Sequence, residues 1–191
     1  PKVLHRICGR PLVDYVLDAA ETATSSRPLV VYSPATEAVR DAVADRADSA
    51  LQDVPRGTGD ALRAALDVLD DAVAEILVVS GDVPLVRADL LASLLEARAM
   101  DHAPLSLLSV DAIDPTGLGR VVRNEGGTVE RIVEDKDATD DERQITEINA
   151  GLYAFDAAWL RRRIADLRPS PITGELYLTD LVGFARVDGR L

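Results

Sequence analysis

The stretch VVSGDVPL, residues 78–85, determines how the rest of the chain is interpreted. It begins with apolar, β-branched residues, which are typical of a buried strand. Gly81 ends this apolar run, Asp82 follows it with a carboxylate, and Pro84 prevents a regular strand from continuing. The strand therefore ends on a negative charge. That charge either closes a turn by bonding to its own backbone or serves a ligand in the crevice beyond the strand.

The composition describes a folded domain with an acidic surface. The 191 residues are 47% hydrophobic, enough for a buried core in one domain, and carry a formal net charge of −12. An acidic surface repels nucleic-acid backbones, so we expect no nucleic-acid partner. No apolar run reaches the roughly 18 residues of a membrane helix, so we expect no membrane partner. The single cysteine, Cys8, excludes a disulfide framework and favours a reducing compartment.

Helical and strand periodicities alternate up to about residue 110. They predict helices over 9–23, 36–47, 60–73 and about 87–99, and strands over 27–33, 49–54, 75–80 and 104–110. This alternation favours an α/β fold with a mainly parallel sheet covered on both faces. Because the series begins with a helix, we expect its first strand to lie upstream of Pro1.

The pattern changes after residue 110. Two alternating runs around NEGG predict a hairpin over 119–135, followed by a strand over 145–156 and helices over 157–167 and 174–186. We therefore expect one domain over 1–191, made of an α/β half to about residue 110 and a mixed half over 111–191.

Two loops next to predicted strands carry candidate binding groups, and each has a plainer explanation. Asp82 has the chemistry of a Mg²⁺ ligand, because Mg²⁺ accepts one or two carboxylates and leaves its other positions to water and phosphates. The alternative is an ordinary turn. In RGTGDA, residues 56–61, two glycines before a helix can expose backbone N–H groups to an anion. The alternative is a turn with Thr58 or Asp60 as the N-cap.

The mixed half offers Gly119, Glu134 and Asn149. Glu134 begins a dense charged run, which is usually a solvated loop. Asn149 lies within a predicted strand and is followed by two small residues, which indicates that its amide hydrogen-bonds to a ligand or to a neighbouring loop. Taken singly, neither residue decides between these readings.

Seven segments in one order resemble a known family. They are PKVLH (1–5), LQ (51–52), GTGDA (57–61), GDVPL (81–85), DPTGLGRVVR (114–123), VEDKDATDDERQITEINAGLYAFD (133–156) and GELYLTD (174–180). Their order and wording resemble the uridylyltransferase domain of the bacterial bifunctional enzymes that make UDP-N-acetylglucosamine. VEDKDAT and EINAG are the most specific of them, whereas GTG and GDVP occur more widely among nucleotidyltransferases.

The resemblance implies a Rossmann-like nucleotidyltransferase fold with a mainly parallel mixed sheet and a β-hairpin sugar-binding subregion. It implies a cytoplasmic enzyme that uses Mg²⁺ to join UTP to N-acetylglucosamine 1-phosphate, releasing pyrophosphate. The product, UDP-N-acetylglucosamine, serves peptidoglycan and cell-envelope synthesis. The family also implies a linked acetyltransferase activity and a homotrimer in the full-length protein, both through a C-terminal domain outside this chain.

The resemblance also implies catalytic and nucleotide-binding roles for particular residues. Asp82 holds Mg²⁺ and Lys2 neutralises substrate phosphates, and these two are the expected catalytic residues. Gln52 and the Gly57–Thr58 backbone read uracil. The residues that precede Asp82 and line the same crevice are Ser80 and Gly81.

The implied sugar pocket consists of Gly119, Glu134 and Asn149, with Tyr177 and Thr179 completing it. The family's glycine-rich phosphate loop would lie upstream of Pro1, and a second, asparagine ligand of Mg²⁺ would lie beyond Leu191. Asp60 also departs from the family, which usually has histidine there. Two alternatives stay open: a related enzyme with another sugar or nucleotide, and a non-catalytic subunit that binds a nucleotide sugar.

Overall fold

The helices and strands follow the hydrophobic periods of the chain. The computed structural model describes residues 1–189, and its α-helices over that range are α1 (Leu12–Thr24), α2 (Glu37–Val43), α3 (Thr58–Leu66), α4 (Ala88–Met100), α5 (Ala157–Arg163) and α6 (Asp180–Val187). The strands are β1 (Arg6–Ile7), β2 (Arg10–Pro11), β3 (Leu29–Tyr32), β4 (Asp48–Leu51), β5 (Glu75–Val79), β6 (Leu105–Asp111), β7 (Arg120–Arg123), β8 (Val129–Val133) and β9 (Glu147–Asp156). Short 3₁₀ turns occupy Lys2–Leu4, Pro34–Thr36, Glu142–Gln144 and Ile164–Asp166.

Strand β9 is the centre of the main sheet. Its alternating side chains divide between two clusters, with Tyr153 and Phe155 on one face and Leu152 and Ala154 on the other. The first cluster is completed by residues of α3, α5 and α6, and the second by residues of α1 and α4. Phe155 and Ala154 are both fully buried. Helices therefore cover both faces of the sheet, as predicted.

The α/β class is confirmed, but the expectation of a mainly parallel sheet is wrong for the described strands. Among them, only β3 and β4 pair in parallel, as a separate two-stranded sheet. In the five-stranded sheet, β9 pairs antiparallel with β5, β6 and β7, and β7 pairs antiparallel with β8. The helix crossover from β5 to β6 does give those two strands the same direction. They are not neighbours, because β9 lies between them.

The two hairpins have different sequence signals. The β7–β8 hairpin is confirmed, and Asn124 Oδ1 closes its turn by accepting the N–H groups of Gly126 and Thr128, each at 3.0 Å. The β1–β2 hairpin was not predicted, because its strands are two residues long and its turn contains a cysteine. Cys8 has φ +51° and Gly9 has φ +83°. This turn moves the start of α1 from the predicted residue 9 to Leu12.

Only the second half of the predicted helix over 174–186 is helical in the structure. Residues 174–179 are irregular, and α6 begins at Asp180. The reason is a long-range backbone pairing, because the Leu176 N–H donates to the Arg56 carbonyl at 2.7 Å and the Leu176 carbonyl accepts from Gly59 N–H at 2.8 Å. These bonds hold the segment against the start of α3. Within residues 1–189, no helix is long and apolar enough to cross a membrane.

Candidate active site

Lys2 and Asp82 form an ion pair beyond the end of β5. The Lys2 Nζ lies 2.8 Å from Asp82 Oδ2, although the residues are 80 positions apart. Their side chains are 73% and 36% exposed, so the pair faces solvent. Gly81 permits this approach, because a Cβ there would lie 3.3 Å from Val3 Cγ1 in the turn that carries Lys2. We call Lys2 and Asp82 the ion-pair region.

Ser80 connects the ion-pair region to β9. Gly151, opposite it, has φ +73°, and a Cβ on Gly151 would lie 3.0 Å from Ser80 Oγ. The Gly151 N–H donates to Asn149 Oδ1 at 3.1 Å. Glycine at position 151 therefore provides both the left-handed backbone and the space that the serine needs.

Gly119, Glu134 and Asn149 lie together, and we call them the inner pocket. The Asn149 N–H donates to the Gly119 carbonyl at 2.8 Å. A Cβ on Gly119 would be 3.1 Å from Ile132 Cγ2, which is a tight contact, and 3.4 Å from Glu134 Oε2, so Gly119 lies directly against the carboxylate. The Asn149 side-chain amide donates to the hydroxyl of buried Tyr153.

Glu134 is partly buried and is fixed by Thr179. The Thr179 hydroxyl donates to Glu134 Oε1 at 2.8 Å, and Thr179 is itself only 4% exposed. The solvated-loop reading therefore fails for Glu134, although Asp140 in the same charged run is fully exposed. Tyr177, the other candidate for this pocket, shares a 2.7 Å hydrogen bond between its hydroxyl and Thr173 Oγ1.

The inner pocket has an acidic environment. Burial raises the pKa of Glu134; the Thr179 hydrogen bond opposes this, and the negative charges of Asp137 and Glu175 add to it. Burial also raises the pKa of Asp180, with further contributions from Glu134 and Asp137. Asp137 Oδ1 is a buried oxygen without a hydrogen-bond partner, whereas its Oδ2 accepts from Ser170 Oγ at 2.8 Å. Such a pocket favours ligands that donate hydrogen bonds.

Gln52 is fixed at the carboxyl end of β4, in what we call the glutamine site (Gln52, Gly57 and Asp60). Its Nε2 donates to the Gly57 carbonyl at 3.1 Å and to Asp60 Oδ2 at 3.0 Å. Gly57 has φ +108°, and a Cβ there would lie 2.5 Å from the Leu176 carbonyl oxygen, so only glycine fits. The N-cap of α3 is Gly57, and neither Thr58 nor Asp60 takes this place.

Thr58, the first residue of α3, bonds to the segment that leads to Thr179. Thr58 Oγ1 accepts the Leu178 N–H at 3.0 Å, one residue before Thr179. The glutamine site, the inner pocket and the ion-pair region are thus joined by successive contacts into one polar arc. Its members are Lys2, Gln52, Gly57, Thr58, Asp60, Ser80, Gly81, Asp82, Gly119, Glu134, Asn149, Gly151 and Thr179.

Two members of the polar arc, Gly151 and Asp60, and the adjoining Tyr153 were not among the predicted site residues. Gly151 and Tyr153 lie two and four residues after Asn149, on the same face of β9. The alternation of a strand could therefore have indicated both residues from the sequence. Asp60 was noted only as a candidate N-cap and as a departure from the family. Its contact with Gln52 depends on loop geometry that periodicity does not report.

The donor set around Asp82 limits what could bind there. Among residues 1–189, no group of three or more histidine, cysteine, aspartate or glutamate side chains is arranged to hold a metal ion. Asp82 offers one partly exposed carboxylate, which suits a cation that takes most of its ligands from water and phosphates. It does not suit a metal that needs a complete protein cage.

A separate cavity of about 720 Å³ lies between α4, β6 and the β7–β8 hairpin. Its lining includes Arg98 and Arg123, whose guanidinium groups pair with Glu75 and Glu147. None of the polar-arc residues lines it. Because none of the predicted site residues lines this cavity, it is a weaker candidate than the polar arc.

A helix-covered sheet with polar groups gathered at one edge is an arrangement in which α/β domains commonly bind their ligands. Residues 1–155 match the family described as the MobA-like NTP transferase domain, and the chain belongs to this family. Its family is therefore that of the NTP transferase domains.

Curated relatives give a more specific similarity. The chain is 42% identical over 195 residues to the bifunctional protein GlmU of Corynebacterium efficiens, covering 98% of this chain and 40% of the relative. It is 45% identical over 190 residues to that of Cupriavidus metallidurans, covering 99% of this chain and 41% of the relative. It is 41% identical over 197 residues to that of Mycobacterium avium, covering 99% and 40%. The chain thus spans about two fifths of the length of these relatives.

Proposed function

We propose that this chain transfers UMP from UTP to N-acetylglucosamine 1-phosphate, giving UDP-N-acetylglucosamine and pyrophosphate. The observation that carries the proposal is the polar arc. It joins a cation–carboxylate pair, a carboxylate–amide pocket and an oriented glutamine. These groups suit the phosphates, the sugar and the base of a nucleotide sugar, respectively. The similarity to bifunctional GlmU proteins supports the same assignment.

The reaction is an in-line displacement at the α-phosphorus of UTP. A phosphate oxygen of the sugar phosphate forms the new P–O bond, the bond to the bridging α,β-oxygen breaks, and pyrophosphate leaves with that electron pair. The protein reacts covalently with neither substrate, so its contribution is positioning and charge stabilisation. Lys2, whose Nζ lies 2.8 Å from Asp82 Oδ2, would contribute a positive charge beside these phosphates.

The lone carboxylate of Asp82 fits Mg²⁺ that is shared with the substrates. Asp82 would hold the ion, with the remaining ligands supplied by phosphate oxygens and water. Bound Mg²⁺ would neutralise charge on the phosphates during transfer. This requirement explains why an acidic side chain stands at a site for a polyanion, in a chain that already carries a net charge of −12.

The inner pocket is suited to the amino sugar. Glu134 Oε2 lies beside Gly119, so a carboxylate oxygen is available to accept hydroxyl or amide hydrogens of a sugar. The Asn149 amide has a second N–H and a second lone pair beyond its bonds to Tyr153 and Gly151. A pocket of this polarity would recognise a neutral sugar by hydrogen bonds.

Pyrophosphate release by the full-length protein, with Mg²⁺ present, tests the proposal. UTP with N-acetylglucosamine 1-phosphate should give the highest kcat/KM among pairs drawn from UTP, dTTP and CTP and from N-acetylglucosamine 1-phosphate and glucose 1-phosphate. A preference for dTTP or glucose 1-phosphate would replace the substrates with those of a related enzyme. Binding of UDP-N-acetylglucosamine without any pyrophosphate release would favour a non-catalytic subunit.

The cytoplasmic location and the homotrimer implied by the resemblance stay predictions. Sedimentation of the full-length protein would test the trimer.

A further inference from the structure

Asp60 is a buried carboxylate in contact with the side chain proposed to read the base. It lies in the first turn of α3 and is 8% exposed. Its Oδ2 accepts from Gln52 Nε2 at 3.0 Å, and its Oδ1 lies 3.3 Å from Arg56 Nη2. Arg56 is mostly exposed, so the closer and better-shielded partner of the carboxylate is the glutamine.

The chemistry of these neighbours fixes the orientation of the Gln52 amide. A carboxylate oxygen and a backbone carbonyl both accept hydrogen bonds, so only the NH₂ group of the amide can face Asp60 and Gly57. Both amide hydrogens are then directed to protein acceptors. The amide oxygen, Oε1, is left as the hydrogen-bonding atom that Gln52 can offer to a ligand.

An accepting oxygen at this place distinguishes two pyrimidines. Uracil carries a hydrogen on N3 and can donate it to Oε1. Cytosine carries a lone pair on N3, which would face the lone pairs of Oε1, and a flipped amide would favour cytosine instead. We propose that Asp60 is a positioning residue that sets the base selectivity of the glutamine site by holding Gln52 in the uracil-accepting orientation. This inference rests on the proposed function, because it takes a uridine nucleotide as the ligand.

A merely structural role for Asp60 would have a different signature. Loss of a buried acceptor at the start of α3 lowers stability, but it changes the affinities for UTP and CTP alike. An effect through the Gln52 amide changes their ratio, and it disappears when Gln52 is absent. The ratio and its dependence on Gln52 therefore separate the two roles.

The test measures affinities of the full-length protein for UTP and CTP in the presence of Mg²⁺ by calorimetry. Asp60→Ala should lower the UTP-to-CTP affinity ratio about tenfold, as expected for one mispaired hydrogen bond. Asp60→Asn keeps a carbonyl that can accept from Gln52 Nε2 and should preserve the ratio to within about threefold. Should Asp60→Ala fail to fold, Asp60→Ser takes its place, because serine is too short to reach the amide and is tolerated near a helix start.

In the Gln52→Ala background, Asp60→Ala should leave the ratio unchanged. An unaltered ratio in Asp60→Ala, equal losses in the Asn and Ala variants, or the same loss without Gln52 would each overturn the inference. A wild-type protein without preference for UTP would overturn it too. A wild-type protein that prefers UTP but releases no pyrophosphate would reject the proposed function and leave the inference about Asp60 standing.

Discussion

The ion-pair region and the inner pocket are two parts of one site built in opposite ways. Lys2 and Asp82 meet in solvent through a single contact, with side chains 73% and 36% exposed. Glu134 and Asn149 lie among buried or partly buried neighbours that fix them by hydrogen bonds. The comparison teaches that the groups proposed to bind the neutral sugar are already held in place by protein hydrogen bonds. The groups proposed to bind the phosphates supply little more than charge, so the ligand and its cation would complete that part of the site.

The largest effect should come from removing the charge of the ion-pair region. Asp82→Asn should lower kcat by about 10²–10³-fold, because an amide holds a hard cation poorly and the phosphates lose electrostatic support. The melting temperature should hardly change, since an exposed ion pair contributes little to stability. Asp89→Asn is the matched control, an exposed aspartate paired with Arg87, and it should keep full activity. Full activity in Asp82→Asn would remove the metal assignment.

Removing support from the inner pocket should instead cost stability. Arg120 is 2% exposed and bonds the Leu118 carbonyl and Asp135, the neighbours in sequence of Gly119 and Glu134. Arg120→Met should lower the free energy of unfolding by about 3 kcal/mol, because it removes a buried guanidinium that bonds both the Leu118 carbonyl and Asp135. Urea denaturation measures this. Arg131→Met removes a guanidinium that is 49% exposed and paired with Glu142, and it should cost less than about 1 kcal/mol. Equal losses of unfolding free energy in the two variants would contradict the claim that the inner pocket is held by buried contacts.

A change at the centre of the inner pocket should affect one substrate selectively. Glu134→Gln keeps an oxygen for Thr179 but loses the charge, so KM for N-acetylglucosamine 1-phosphate should rise about 10- to 100-fold. KM for UTP should change by less than about threefold, since Glu134 belongs to another part of the polar arc. Asp140→Asn, from the same charged run but fully exposed, serves as the control. Steady-state kinetics with each substrate varied in turn provides the measurement. An equal rise in KM for both substrates would contradict the assignment of the inner pocket to the sugar.

The smallest predicted effect is a pH dependence. Burial raises the pKa of Glu134, so this carboxyl takes up a proton at a higher pH than an exposed glutamate. Since the ionised form accepts hydrogen bonds from the sugar, kcat/KM for the sugar phosphate should fall as pH drops through the raised pKa. The raised pKa also affects the free energy of unfolding. That free energy should fall as the pH rises from the ordinary pKa of a glutamate, which applies in the unfolded state, to the raised pKa of the folded state. Glu134→Gln should lose the kinetic dependence and weaken the stability dependence, to which Asp180 also contributes, and pH series of kinetics and urea denaturation would record both.

Local patterns predicted most of the elements. The strand β9, the β7–β8 hairpin and helices α1 and α4 follow from periods of two and 3.6 residues in their own sequences. Strand order did not follow, because the pairing of β9 between β5 and β6 is decided by packing between distant segments. The start of α6 at Asp180 has the same cause, since Leu176 is tied to Arg56 and Gly59.

Most members of the candidate site were predictable from the sequence, and their contacts were not. Asp82 and Asn149 stand out as polar groups at or within apolar strands, and the family resemblance supplied Lys2 and Gln52. The hydrogen bonds from Thr179 to Glu134 and from Gln52 to Asp60 depend on where two loops meet, which no spacing in the chain encodes.

A crystal structure of the full-length protein with UDP-N-acetylglucosamine and Mg²⁺ tests the central claim most directly. Density for the ion on the Asp82 carboxylate, for the sugar against Glu134 and Asn149, and for uracil N3 against Gln52 Oε1 is the predicted result. A nucleotide sugar bound away from the polar arc, or with its sugar at Gln52 and its base at Glu134, would contradict the account.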